Sequence, residues 1–188
     1  MGTTPFKAIR LPHHDYTGAG AYFVTLCAHG RKCIFGNISK GEVVLNDIGQ
    51  IVAHEWQKSA EIRKEIVLDA YVVMPNHLHG IVIFPEEKAG CPTSTEETRA
   101  GCRPALRGRT SREHESRSLS TFIAQFKAVT TTVIRRLAQQ PNLRVWQTRF
   151  FDRVLRNEME LNRTREYIFN NPAQWESDEE NPSAAPDS

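Results

Sequence analysis

An α+β sandwich built on one antiparallel sheet is the fold class this sequence predicts, on three observations. Apolar residues alternate or cluster over 21–28, 67–73 and 77–84, as in strands with at least one buried face. Two longer stretches, from Asn46 or Asp47 to about Arg63 and from Ser118 or Ser120 to about Gln139, repeat apolar residues at helical spacing. The resulting order of strand, helix, strand, strand, helix, strand is the split β-α-β arrangement of a ferredoxin-like sandwich. It predicts an antiparallel sheet with helices on one face, the other face or a groove on it free for a ligand, and a C-terminal helix added at the end.

Each element has its own local reason. Residues 1–20 read as an irregular arm, and Ala21 to Ala28 as the first strand. Glu42 to Leu45 is a candidate short extra strand after Gly41. The first helix is capped by Asn46 or Asp47 and carries Ile48, Ile51, Val52, Trp56 and Ile62 roughly on one stripe. Val67–Val73 and His77–Phe84 form a hairpin through a Pro-Asn turn. The second helix has an apolar stripe of Leu119, Phe122, Ile123, Phe126, Val129, Val133 and Leu137. Leu143 to Val154 reads as a fourth strand or extended segment around Trp146. Glu158 to Asn171 is a third helix, stopped at Pro172 because a residue before proline resists the helical conformation.

The chain of 188 residues fits one domain, expected over 8–175, with a flexible insertion rich in Pro, Gly, Ser, Thr and charge at 85–117. An acidic, disordered tail is expected over 176–188. No apolar run reaches transmembrane length and the N-terminus lacks a signal-peptide pattern, so the expected location is the cytoplasm, with no membrane partner. Cys27, Cys33, Cys91 and Cys102 form no CxxC pair and read as reduced thiols. Charge is uneven. From Arg103 to Glu166 there are fourteen Lys or Arg against six Asp or Glu, whereas Glu176 to Ser188 holds five acids and no base. The first stretch is a candidate polyanion surface; the competing reading is a solvated, salt-bridged face.

His77-Leu78-His79 is the most informative local pattern. Residues i and i+2 of a strand point to one face, so both imidazoles project side by side where one metal ion can take both. A partly buried, hydrogen-bonded structural pair explains the same spacing equally well. In the last helix, Arg163, Tyr167 and Asn171 recur every four residues and share a face. That face offers a guanidinium for a phosphate, a phenol as nucleophile and an amide oxygen as a hard ligand. Core packing of Tyr167 with a capping role for Asn171 is the plainer alternative.

The motifs together resemble a family. Arg10-Leu11-Pro12 with Gly20 to Thr25, Met74 to His79, Val145-Trp146-Gln147 with Arg149 to Asp152, and Tyr167-Ile168 with Asn170-Asn171-Pro172 are similar, in order, to the signatures of the single-tyrosine HUH transposases. Within these the chain resembles the REP-associated tyrosine transposases. The resemblance runs over about 8–175 outside the insertion. It implies a bacterial, metal-dependent endonuclease and strand transferase acting on single-stranded or hairpin DNA, nucleoid-associated when acting. It also implies His77, His79 and Asn171 as ligands of Mg²⁺ or Mn²⁺ and Tyr167 as nucleophile. Arg153 departs from relatives, which often carry His after the acidic position of Asp152. Arg10, Lys127, Arg135, Arg136, Arg149, Arg153 and Arg163 are the candidate DNA contacts. Monomer and homodimer are both open.

The residue types suit that chemistry. A free tyrosine titrates near about 10, so a divalent ion and a nearby Arg are needed to favour the phenolate. A covalent phosphotyrosine conserves the bond energy for strand transfer. The alternative is a catalytically silent, domesticated hairpin-DNA-binding protein. An amidohydrolase use of the HxH pair needs a (β/α)₈ barrel of about 250 residues, which this chain cannot form.

Overall fold

The computed structural model describes residues 19–85, 118–178 and 180–182. Residues 1–18 of the arm, residues 86–117 of the insertion, residue 179 and residues 183–188 lie outside the described residues, as do therefore Arg10, Cys91 and Cys102, while Gly20, expected in the arm, opens β1. The strands are β1 (Gly20–Cys27), β2 (Gly36–Ser39), β3 (Glu42–Leu45), β4 (Val67–Val73), β5 (His77–Phe84) and β6 (Phe151–Leu155). The α-helices are α1 (Asp47–Ile62), α2 (Leu119–Ala138) and α3 (Glu158–Asn170), and a 3₁₀ helix follows at Pro172–Ser177.

The main sheet has order β4-β5-β1-β6, every neighbour antiparallel. This is the ferredoxin-like order expected, because each β-helix-β crossover leaves room for one strand between its two. Alternation splits the central strands between two cores. Tyr22, Val24 and Leu26 of β1 and Leu78, Val82 and Phe84 of β5 join α1 and α2 through Val52, Trp56, Phe122 and Phe126. Phe23 and Ile81, on the opposite face, join Leu155 and Ile168 with Leu161 and Tyr167 of α3. The second face is thus not left open: α3 packs on it.

Asn46 accepts from Gly49 N at 3.0 Å to cap α1, and Ser118 accepts from Thr121 N at 3.2 Å to cap α2. The stripes deviate from expectation at their ends. Ile62, Val129 and Leu137 are exposed, at 70%, 47% and 51%, and Thr130 and Ile134 take the inward positions on α2. The 100° step carries position 130 inward, and Thr130 satisfies its hydroxyl on Phe126 O at 2.8 Å. Leu143 to Val154 is not one strand. Val145–Gln147 extends the end of β1 by a bridge at Ala28–Trp146, and the strand proper begins at Phe151. β2 was not anticipated; it pairs with β3 through a Lys40-Gly41 turn in which both residues have positive φ. Past Pro172 the chain does not fall away at Glu176: the 3₁₀ helix runs to Ser177, and Asp178 and Glu180 fold back onto the sheet end.

Candidate functional site

The two imidazoles come from β5 and lie on the α3 face. Leu78 between them enters the α1–α2 core, and Gly80 after them is needed there, since a Cβ would meet Trp56 at 2.6 Å. The turn before them is anchored on both sides: Ala28 N donates to Asn76 O at 2.7 Å and Phe35 N to Pro75 O at 2.9 Å. The rings have centroids 4.3 Å apart.

The tautomer of His77 follows from its neighbour. Asn76 Nδ2 donates to two backbone carbonyls, Arg31 O at 3.1 Å and Glu180 O. That fixes the amide, so Asn76 Oδ1 faces His77 Nδ1 at 2.8 Å as an acceptor. His77 Nδ1 therefore carries the proton, and its Nε2 presents a lone pair. This Nε2 is buried and has no hydrogen-bond partner among the described residues. His79 Nδ1 lies 2.8 Å from Thr25 Oγ1, directly across the β1–β5 ladder. His79 Nε2 lies 3.4 Å from the Tyr167 hydroxyl.

Burial holds both rings neutral. It pushes His79 down to about 3, and it pushes His77 well below the ordinary histidine range, with His79 and Arg31 as smaller repulsive causes. A neutral imidazole is the ligand form, so nothing has to be deprotonated for the pair to hold a cation at neutral pH.

Tyr167 reaches the pair from α3, half-buried, edge-on to Phe23 at 6.0 Å and 5.4 Å from the His79 ring. Asn171 is the C-cap that follows α3; its Nδ2 donates to Asp178 Oδ2 at 3.1 Å, and its Oδ1 is buried without a hydrogen-bond partner among the described residues. Asp178 supplies the anion: ligand atoms of His77, His79 and Asp178 all lie within 4.8 Å of one another. Two neutral imidazole nitrogens and a carboxylate, beside an orphaned amide oxygen, are a donor set that fits a divalent cation. Trp175 covers the His77 ring at 6.1 Å.

The sequence pattern singled out His77, His79, Tyr167 and Asn171, and these four gather at one place. It missed Asp178, Asn76 and Thr25. Asp178 lies in an acidic stretch with no periodicity, and only the large apolar Trp175 just before it signalled that this stretch packs. The candidate DNA contacts are dispersed. Arg163 is exposed one turn before Tyr167, and Arg153 sits on β6 opposite Phe23, 3.7 Å from Glu160. Lys127, Arg135 and Arg136 belong to α2 beyond the other face, and Arg149 is exposed in the segment before β6. Cys27 also borders the site. Burial, and then the carboxylate of Glu180 3.5 Å away, push its thiol up to about 12, so it is inert as a nucleophile.

No protein-family model matches the chain. It is 32% identical over 173 residues to an uncharacterized protein of Haemophilus influenzae, covering 92% of this chain and 91% of that one. Among solved structures it is similar to a REP-associated tyrosine transposase bound to a REP hairpin, with a TM-score of 0.55 and 19% identity. That match covers 88% of this chain and 74% of the other and shows a shared fold. No helix among the described residues is long and apolar enough to cross a membrane.

Proposed function

The chain belongs to the family of that Haemophilus influenzae protein, and we propose that it is a metal-dependent endonuclease and strand transferase of the HUH type acting on single-stranded DNA. The observation that carries this reading is the convergence of a phenol on a neutral imidazole pair. Tyr167 Oη stands 3.4 Å from His79 Nε2, while the Nε2 of His77 is a buried lone pair with no hydrogen-bond partner among the described residues. The shared fold with a hairpin-bound transposase supports DNA as the substrate class.

His77, His79 and Asp178 would hold a Mg²⁺ or Mn²⁺ ion, with Asn171 Oδ1 beside them; imidazole favours Mn²⁺ of the two. Bound there, the ion would withdraw charge from a non-bridging phosphate oxygen and help the phenol ionise. Asn76 and Thr25 hold the two rings in orientation. α3 carries the Tyr167 oxygen to the phosphorus. The Tyr167 O–P bond forms and the P–O3′ bond breaks. The phenolic proton leaves and the departing 3′ oxygen takes one up, giving a 5′-phosphotyrosine and a free 3′-hydroxyl. A second 3′-hydroxyl can reverse the step on new DNA, which is strand transfer. Arg153 and Arg163, on the same side, are suited to hold the flanking phosphates.

The test is a denaturing gel of the protein with Mn²⁺ and a labelled hairpin DNA bearing unpaired flanks, alongside Tyr167→Phe and His77→Ala. A covalent adduct from the wild type and none from either variant is expected. An adduct that survives Tyr167→Phe assigns the chemistry elsewhere. DNA binding with no adduct over a range of flanks leaves a silent hairpin-binding protein.

A further inference from the structure

A cavity of about 410 Å³ lies between the β2–β3 hairpin and the 3₁₀ helix that follows α3. That volume falls in the range of sites that hold one small organic molecule. Its apolar lining is the Trp175 indole with Pro75 and Ile38. Asn37, Lys40 and Glu176, all exposed, supply the polar groups. Trp175 also covers the His77 ring, so it is a wall common to the cavity and the candidate metal site.

The walls are preformed. Phe35 N donates to Pro75 O at 2.9 Å, and Asn46 Nδ2 donates to Ile34 O at 3.0 Å. These bonds tie the segment leading into β2 to the β4–β5 turn and to the start of α1. At Gly41 (φ 77°) a Cβ would stand 3.9 Å from Ala173 Cα, so the hairpin turn leans directly on the 3₁₀ helix. Asp178 N and Asn181 Nδ2 donate to Trp175 O at 3.1 and 2.9 Å. The segment that carries Asp178 thus holds the residue that walls the cavity.

An aromatic face, two apolar neighbours and a polar rim suit a flat heterocycle better than a flexible acyl chain or a bare ion. Base–aromatic stacking needs only a π-face on each partner. A carboxylate accepts from an exocyclic amino group, and a side-chain amide both donates and accepts at a base edge. An ammonium group neutralises a phosphate. Glu176, Asn37 and Lys40 are those three groups, and Trp175 is the face. Thymine has no exocyclic amino group and offers a carboxylate only its ring N–H.

We propose that this cavity binds one nucleotide through its base, stacked on Trp175 and read at its amino group by Glu176 and Asn37, with Lys40 serving the phosphate. The nucleotide is either free or part of a strand bound at the candidate metal site. In the second case the inference rests on the nuclease reading, and the following measurements separate the two sources and the two readings.

Isothermal titration calorimetry in EDTA would follow binding of dAMP, dCMP, dGMP, dTMP and deoxyribose 5-phosphate. In parallel, a short unstructured strand is compared with the same strand made abasic at each position in turn. The proteins are the wild type, Trp175→Ala, Trp175→Phe and the double variant Asn37→Ala/Lys40→Ala. Loss of the stacking face is expected to weaken binding about tenfold or more in Trp175→Ala, with most of it regained in Trp175→Phe. The double variant is expected to bind more weakly while its Tm and Mn²⁺ affinity stay those of the wild type. Among the mononucleotides dTMP is expected to bind least tightly, and the sugar phosphate not at all. Mononucleotide binding with a strand indifferent to every abasic position assigns the cavity to a free nucleotide. A strand that loses affinity at one abasic position assigns it to that strand's own nucleotide. Wild-type affinity in either Trp175→Ala or the double variant overturns the cavity, as does binding of neither mononucleotides nor any particular base of the strand. A Tyr167 adduct on the denaturing gel would then leave the nuclease reading standing. Base-dependent binding with no adduct on any strand supports the cavity and removes the nuclease.

Discussion

At the scale of single residues, the histidine pair is useful only because of what stands behind it. A histidine ligand must present a lone pair, and which nitrogen keeps its proton is set by the partner of the other. For His77 that partner is Asn76 Oδ1, whose orientation is locked because the Nδ2 of the same amide donates to two backbone carbonyls from distant parts of the chain. Removing the amide leaves His77 in the same strand but free to take either tautomer and to turn its ring. Asn76→Ala is therefore expected to weaken Mn²⁺ binding about ten- to a hundredfold, as read by calorimetric titration, while circular dichroism stays that of the wild type. Unchanged affinity would mean that burial alone orients the ring. Asn76 lies within the segment that the sequence pattern singled out, yet there it reads as a turn residue. Its second role depends on carbonyls of Arg31 and Glu180, and no local pattern encodes those.

At the scale of elements, the central question is what holds α3 on the sheet. Its buried face is thin: Thr164 and Ile168 are its only buried residues among those described, and Phe169 is 85% exposed. A polar clamp supplements this small apolar contact. β4 breaks register between Leu68 and Tyr71, so that Asp69 and Ala70 stand opposite Ile81 alone. Asp69 Oδ2 accepts from Arg165 Nε at 2.8 Å and Nη2 at 2.7 Å, and Arg165 Nη1 reaches Glu158 at 3.3 Å. Arg165 lies two residues before the nucleophile candidate. Ion pairs this exposed contribute little to stability, so the clamp's larger consequence is positional. Asp69→Asn is expected to leave the fold and Mn²⁺ affinity nearly intact, raise hydrogen exchange over 158–170, and slow adduct formation about ten- to a hundredfold. A rate equal to wild type with faster exchange would show that α3 tolerates the looser seat. The helix itself was legible from Pro172 at its end and from Arg163, Tyr167 and Asn171 recurring every four residues. The clamp was not, because a bulge depends on the partner strand's register.

At the scale of the whole molecule, strong periodicity was readable and long-range closure was not. β4 and β5 carry their bounds in their β-branched runs and in the Pro75-Asn76 turn, and α1 and α2 announce themselves by Asn46 and Ser118. β2, Gly36-Asn37-Ile38-Ser39, has no alternation to read and exists through its pairing with β3. The exposure of Val129 and Leu137 depends on which part of α2 meets α1 and the sheet, a tertiary fact. Asp178 is the extreme case, since it meets His77 across about a hundred residues of chain. That closure has a measurable consequence. A cation held by β5 and by the segment after α3 would join the centre of the sheet to the end of the chain, and the unfolded chain holds no such site. Binding therefore stabilises the folded state by mass action, by about 2.7 kcal/mol at a hundred times the dissociation constant. For a chain of this size that corresponds to a rise in Tm of about 5–10 °C. Differential scanning calorimetry with Mn²⁺ against EDTA is expected to show that rise in the wild type, a smaller one in Asp178→Ala, and none in His77→Ala/His79→Ala. A rise that persists in the double histidine variant would place the cation away from the pair, and with it the chemistry proposed for Tyr167.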